Sequence, residues 1–317
     1  MKISLLIPFY NEEEQIPLTI DTVVPIMAST GYDFEVLMID DGSRDNSWAV
    51  IEAACKQDDR LVGLRLSRNF GKEAAICAAL DRAEGDAVIL MDGDLQHPPQ
   101  YIPEMIKLWQ QGNVIVEGVK SSRGKESVAS KLNAAVFYGL FRRFTGIDLR
   151  NASDFKLLDH SVVVQWRQLG EHDTFFRGLS AWMGFKRTTF SFDVASRQAG
   201  SSKWSPLKLI ALSLNAITGF TAVPLQFITF LGLVMLFGSF VLAIQTLINF
   251  FTGHADTGFT TVILLLLLIG GSIMISLGLI GIYIARIFTE VKGRPRYIIA
   301  QDTRQKSNDQ SDDQEVP

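Results

Sequence analysis

Val88-Ile89-Leu90-Met91-Asp92-Gly93-Asp94-Leu95-Gln96-His97 is the stretch whose reading decides the fold. Four apolar residues that read as a buried strand run straight into two aspartates and a glutamine at i, i+2 and i+4, and alternate residues of an extended chain share one side. The spacing predicts three oxygen donors at one mouth of a sheet. Carboxylate and amide oxygens suit a hard divalent cation, Mg2+ or Mn2+, and no cysteine or second histidine lies nearby to favour zinc. By itself the stretch reads equally well as a solvated loop, so its neighbours must decide. His97 reads only as the turn before Pro98-Pro99.

Upstream, apolar runs alternate with helical patterns. Ile3 to Ile7 reads as a strand, and Asn11-Glu12-Glu13-Glu14 as the start of a helix whose acidic first turn suits its dipole. A second strand ends in Asp40-Asp41-Gly42-Ser43 before a helix over 47–56, and a third ends in Ser67-Arg68-Asn69-Phe70-Gly71-Lys72 before an Ala-rich helix over 73–83. Strands alternating with helices through short turns predict a doubly wound, mostly parallel sheet. Ligands of such sheets sit outside the carboxyl ends of the strands, where every one of these polar motifs falls. No G-x-G-x-x-G follows the first strand and no Walker A sequence occurs, so neither a dinucleotide fold nor a P-loop is supported.

Pro8-x-Tyr10-Asn11-Glu12, Asp40-Asp41-Gly42-Ser43-x-Asp45 and Asp92-Gly93-Asp94-Leu95-Gln96, in this order on alternating strand ends, resemble the family 2, GT-A fold glycosyltransferases. Within them, Ser67-Arg68-Asn69-Phe70-Gly71-Lys72-Glu73 and Asp94-Leu95-Gln96-x-Pro98 resemble the polyprenyl-phosphate branch, which holds dolichol-phosphate mannose synthase and bacterial bactoprenol-phosphate glucosyltransferases. The resemblance implies that Pro8, Tyr10, Glu12, Asp40 and Asp41 hold the nucleotide of a sugar donor, and it favours Lys72 as a phosphate contact over a mere helix start. Asp94 and Gln96 become the metal ligands, with Asp92 as a further candidate beside the metal or the donor. Asp154, in Asn151-Ala-Ser-Asp154-Phe155-Lys156, resembles the acidic residue beside the donor sugar, although an Asx turn explains the same residues. Arg197, Ser202 and Lys203 resemble a family loop of the form R-x-x-G-x-S-K-[WYF], suited to close as a lid over a diphosphate.

The chain has 317 residues, 47% of them hydrophobic, and its apolar content is concentrated. No charged residue occurs from Leu209 to Gly253, nor from Thr257 to Ala285, and about 20 apolar residues suffice to span a bilayer. Two spans are expected, over 226–251 and 259–285. The loop between them carries no Lys or Arg, whereas the tail carries Arg286, Lys292, Arg294 and Arg296, so the positive-inside rule favours a cytoplasmic tail and places 206–223 in the interface rather than across it. An amphipathic helix over 129–144 is expected to lie on the membrane with Phe137, Tyr138, Leu140 and Phe141 in the lipid. The net charge of −4 and the lack of a basic, aromatic-studded stripe argue against a nucleic-acid partner. Cys55 and Cys77 have no metal spacing and read as reduced thiols.

The expected organisation is a cytoplasmic GT-A domain over 1–205, an interfacial helix over 206–224, a two-helix transmembrane region over 225–288 and a cytoplasmic tail over 289–317 whose end is disordered. The expected reaction moves a hexose, glucose first, from a nucleotide sugar such as UDP-glucose to undecaprenyl phosphate at the cytoplasmic face of the inner membrane. Lys120, Arg123 and Lys131 are the cations expected around the acceptor phosphate. The resemblance also implies a homo-oligomer, with the tail strand 294–299 pairing with a neighbouring subunit, and a flippase and a downstream glycosyltransferase as partners. Two other readings stand beside it: a processive polysaccharide synthase, whose Q-x-x-R-W motif is absent here, and a non-catalytic membrane scaffold, which would have lost its acidic ligands.

Overall fold

A computed structural model describes residues 1–120, 138–139, 141–149, 153–172, 174–192, 218–252 and 258–304. Two compact units emerge: an α/β unit formed by the N-terminal two-thirds of the chain together with the tail from Pro295, and a helical unit over Trp204–Arg294.

The α/β unit is built on eight strands: β1 (Lys2–Phe9), β2 (Asp33–Asp40), β3 (Leu61–Leu66), β4 (Ala87–Leu90), β5 (Ile115–Lys120), β6 (Lys156–Asp159), β7 (Arg187–Phe192) and β8 (Ile299–Asp302). They form one sheet in the order β7-β5-β6-β4-β1-β2-β3-β8. β1 lies between β2 and β4, parallel to both, and β3 extends the parallel block. These four strands are almost wholly apolar, as strands covered on both faces must be. β6 runs antiparallel to β4 and β5, and β7 returns parallel to β5, so the sheet is mixed and its parallel half carries the ligand-binding edge. Pairing of Phe9 with Asp40, and of Asp40 with Arg65, brings the ends of β1, β2 and β3 to one level.

Four helices follow in order, α1 (Gln15–Ser29), α2 (Ser47–Cys55), α3 (Lys72–Arg82) and α4 (Ile102–Gln110), and α5 (His160–Gln168) and α6 (Phe176–Trp182) come after β6. The first differs from expectation. α1 starts at Gln15, not at Asn11, and has no acidic residue in its first turn. Asn11 instead adopts a left-handed conformation (φ 54°), and the preceding loop is stitched to the loop after β2: the Asn11 and Glu12 amides donate to Ser43 Oγ and Ser47 Oγ, both at 2.9 Å. These bonds outweigh the dipole preference, and they leave Glu12 free to enter the site.

The tail also differs. The expected strand over 294–299 is instead β8 at Ile299–Asp302, and it pairs antiparallel with β3 of its own chain, Arg65 opposite Gln301. Arg304 then bonds the buried Glu35, which also meets Lys2, and Tyr297 Oη donates to Asp81 at 2.6 Å. Covering the exposed edge of β3 with the chain's own tail satisfies its backbone groups without a partner.

In the helical unit, α7 (Val223–Phe251) and α8 (Phe259–Val291) are 29 and 33 residues long. Each contains a 27-residue stretch of mean hydropathy 2.5 or 2.4 of which none is buried. Buried core helices would hide such surface; Phe237, Leu236 and Met274 are instead about 70% exposed. Most of the expected interfacial segment 206–223 lies outside the described residues. So does most of the helix expected over 129–144, but Phe141 is 0% exposed, so that residue packs into protein and does not face lipid.

Two features of the fold have measurable consequences. Gly42 has φ +66°, and a Cβ there would overlap the backbone of Arg68 in the loop after β3. Gly42→Ala is therefore expected to destabilise the protein by about 1–3 kcal/mol, read as a lower thermal midpoint in detergent. Glu73, on α3, accepts from the Phe176 amide of α6 at 2.8 Å, and burial pushes its carboxyl up to about 7. A raised carboxyl binds its proton more tightly in the folded state, so this group's contribution to stability falls as pH rises from the ordinary carboxylate range through about 7. Glu73→Gln keeps an acceptor for Phe176; its thermal midpoint should match that of the parent near pH 5 and exceed it at pH 8, by about 2 kcal/mol in stability terms.

Candidate active site

A cavity of about 360 Å³ opens at the carboxyl ends of the parallel strands, lined by Pro8 and Phe9 at the end of β1, Tyr10 and Glu12 after it, Asp41 after β2, Asn69, Gly71, Lys72 and Ala75 around the start of α3, and Asp92, Gly93 and Asp94 after β4. The four sequence motifs therefore converge as expected. The two aspartates at the end of β2 divide. Asp41 faces the cavity and accepts from the Phe70 and Gly71 amides at 2.7 and 2.9 Å; burial raises its pKa and these bonds partly oppose the shift. Asp40 is fully buried and does not line the cavity. It accepts from the Ser43 amide at 2.9 Å and pairs with Arg65 at 3.3 Å, so it holds the turn rather than facing a ligand.

The stretch after β4 departs from simple alternation. Leu95 takes a left-handed φ of 55°, so Asp92, Asp94 and Gln96 are not successive positions on one extended face. Asp94 is exposed at the cavity, with one oxygen accepting from the Gln96 amide at 3.0 Å, whereas the Gln96 side chain is not part of the lining. Gly93 packs under the Phe9 ring, and its carbonyl accepts from Thr19 of α1 at 2.7 Å. His97 is more than a turn residue. It is buried, stacks on Phe155 at 5.2 Å, and its Nδ1 accepts from the Asp92 amide at 3.1 Å. Burial lowers its pKa, which keeps the ring neutral and able to accept that bond.

Lys72 is the centre of charge. Its Nζ lies 2.6 Å from Asp92 and 2.7 Å from Asp154; burial acts to lower its pKa, but the two carboxylates outweigh burial and raise it. Asp154 is 5% exposed and also accepts from Arg177 Nε and Nη2 at 2.7 and 2.8 Å. Burial disfavours its charge, yet Arg177 and Lys72 hold it well below the usual carboxylate range. Beneath it, the buried Lys156 donates to Ser180 Oγ at 2.6 Å and pairs with Glu117 at 3.3 Å, and Glu117 accepts from the Ser153 amide at 2.8 Å. Arg177 escapes a motif reading because its partner Asp154 lies 23 residues away, and Lys156, although it closes the Asp154 segment, gains its role only through Glu117 and Ser180 from distant parts of the chain.

Among the described residues, no three acidic, cysteine or histidine side chains stand close enough together to encircle a metal ion. The chemistry of the mouth nonetheless fits a hard cation. Glu12 has a buried oxygen without a hydrogen-bond partner, and burial followed by repulsion from Asp94 and Asp92 raises its pKa. Asp92 is the poorer ligand, because Lys72 already occupies one of its oxygens. Lys120 ends β5 exposed; Arg123, Lys131, Arg197, Ser202 and Lys203 lie outside the described residues.

Comparison with known proteins matches residues 4–176 to the model of glycosyl transferase family 2. The SfII prophage-derived bactoprenol glucosyl transferase of Shigella flexneri is 37% identical over 306 residues, 96% of this chain and 99% of that protein. An uncharacterized glycosyltransferase, YkcC, of Bacillus subtilis (strain 168) is 37% identical over 93% of this chain and 92% of its own. Among solved structures, glucosyl-3-phosphoglycerate synthase from Mycobacterium tuberculosis in complex with Mn2+, UDP-glucose and phosphoglyceric acid aligns with a TM-score of 0.45 at 20% identity, over 68% of this chain and 77% of that one. The family match spans β1 to β6 and every cavity-lining residue, and the relatives match almost end to end: the chain belongs to glycosyl transferase family 2.

Proposed function

We propose that the protein transfers glucose from UDP-glucose to a polyprenyl phosphate, undecaprenyl phosphate in the first instance, at the cytoplasmic face of the inner membrane. The observation that carries the reading is the pairing of a strand-end cavity rich in carboxylates and one ammonium with two exposed apolar helices in the same chain. A lipid phosphate is confined to the interface, so its glycosylation calls for a donor site tethered to the bilayer. The bactoprenol glucosyl transferases matched over nearly their whole length support both the sugar and the lipid class.

The chain's path supports the topology. It leaves the α/β unit beyond β7 and rejoins it at Pro295, a path that favours an even number of membrane crossings between them. Two spans, α7 and α8, satisfy that condition; a third through 206–223 would not. The catalytic domain and the tail then share the cytoplasmic side.

In the proposed mechanism Pro8, Tyr10, Glu12 and Asp41 bind the nucleoside end of the donor. Asp94, with Glu12 and Asp92 nearby, would hold a divalent cation, Mg2+ or Mn2+, whose charge offsets the negative charge of the departing diphosphate. Lys72 supplies a further positive charge at the same mouth. The acceptor phosphate is already anionic near neutral pH, so little depends on proton removal and positioning carries most of the rate. Asp154 suits this scheme: a carboxylate held ionised by two cations is a poor proton acceptor but a firm electrostatic and orienting group beside the sugar. Attack by the phosphate oxygen in a single displacement would invert the anomeric centre.

Membranes incubated with radiolabelled UDP-glucose should yield a chloroform-soluble, mild-acid-labile product; a water-soluble polymer, or no product, overturns the reading. Asp94→Ala should leave the thermal midpoint unchanged while lowering transfer by about 100-fold or more and abolishing metal-dependent UDP binding. Transfer at the parent rate would remove Asp94 from the site.

A further inference from the structure

Asp154 separates two cations that serve different sides of the site. Lys72 lines the donor cavity and bonds Asp92 as well as Asp154; Arg177 and Asp154 are not part of that lining. The Arg177 side chain is 40% exposed, and two of its nitrogens are fixed by Asp154 while Nη1 has no partner among the described residues. A guanidinium locked in plane by a buried carboxylate presents its remaining N–H groups in a fixed direction, the arrangement that suits phosphate oxygens. Tyr138, from the segment expected to meet the membrane, lies within electrostatic reach of the same guanidinium. Four charges alternate along the row Asp92, Lys72, Asp154, Arg177, and the end of the row outside the donor-cavity lining is a part-exposed cation.

We propose that Arg177, fixed by Asp154 and assisted by Lys72, seats the phosphate of the acceptor. The proposal rests on the reading of the acceptor as a polyprenyl phosphate and gives the α6 segment its role: it carries the acceptor-side cation to the edge of the donor cavity. Asp154 is then the shared post between the two substrates, and Arg177 a binding residue rather than only the partner that keeps Asp154 ionised.

The test uses the full-length protein in detergent, with farnesyl phosphate as probe followed by intrinsic tryptophan fluorescence, and UDP binding followed by calorimetry. Arg177→Gln should weaken farnesyl phosphate binding by about tenfold or more and leave the affinity for UDP unchanged, with Arg177→Lys restoring part of the loss. Asp154→Asn retains both cations and should keep most of the affinity for the probe. Equal losses in Arg177→Gln and Asp154→Asn would overturn the proposal, because Arg177 would then act only through Asp154. Parallel loss of UDP affinity would overturn it too, by moving Arg177 to the donor. If Arg177→Gln unfolds, the double variant with Asp154→Asn removes both charges and must still lose the probe. Competition by inorganic phosphate that depends on Arg177 supports a phosphate seat, whereas competition by farnesol as strong as by farnesyl phosphate overturns it. Arg177-dependent binding by a protein that forms no glucosylated lipid would keep the seat and sink the proposed reaction instead.

Discussion

The Lys72 ammonium, held 2.6 Å from Asp92 and 2.7 Å from Asp154, is the interaction on which the site depends. It joins three parts of the chain: the start of α3 after β3, the loop after β4, and the loop before β6. One ammonium between two carboxylates leaves a surplus negative charge, and at the buried Asp154 Arg177 meets it through two bonds. The remaining surplus lies at the open mouth, where Glu12, Asp92 and Asp94 repel one another. The parallel strands bring these groups to one level, and the charges then fix the loops between them.

Much of this is legible from the sequence because a parallel sheet makes its own index. Strands covered on both faces read as apolar runs, and the residues just past each run lie at the ligand-binding edge; Tyr10, Asp41, Lys72 and Asp92 are found in that way. The rule fails where the chain leaves regular geometry. A period of two assumes an extended backbone, and the left-handed Leu95 breaks it, which removes Gln96 from the cavity lining while Asp94 stays. A dipole argument places Glu12 in the first turn of α1, but side-chain bonds from Ser43 and Ser47 hold that loop out of the helix and turn Glu12 inward. The second effect has no local signature, since it depends on Ser43 and Ser47 from the segment after another strand.

Burial sorts residues that the motif treats alike. Adjacent aspartates at the end of β2 carry the same expected role, yet successive residues point to opposite sides, so one reaches the cavity and the other supports the turn beneath it. His97 shows the reverse case: a residue read as punctuation anchors the Asp92 amide, because its ring is stacked into the aromatic cluster of Phe155 and Phe192. The Lys156–Glu117 pair does similar work under Asp154, holding the Ser153 amide through Glu117. Its value lies in position rather than net stability, since a buried pair recovers little of what its desolvation costs.

The tail connects this chemistry to the membrane. A strand after the last apolar helix is legible, but its partner is not, because pairing between segments at opposite ends of the chain leaves no periodic trace; Leu64 meets Asp302 through the open edge of β3 alone. That pairing returns the chain to the unit it left: the helical segment begins and ends on the same unit, which is what the proposed pair of crossings through α7 and α8 requires. Charge bias supports the same proposed topology by a separate route, since the tail carries Arg286, Lys292, Arg294 and Arg296 and the loop between the two helices carries no Lys or Arg. On the proposed topology, the edge strand is therefore both a cap on β3 and the second of two attachments that keep a soluble donor site next to an acceptor that cannot leave the bilayer.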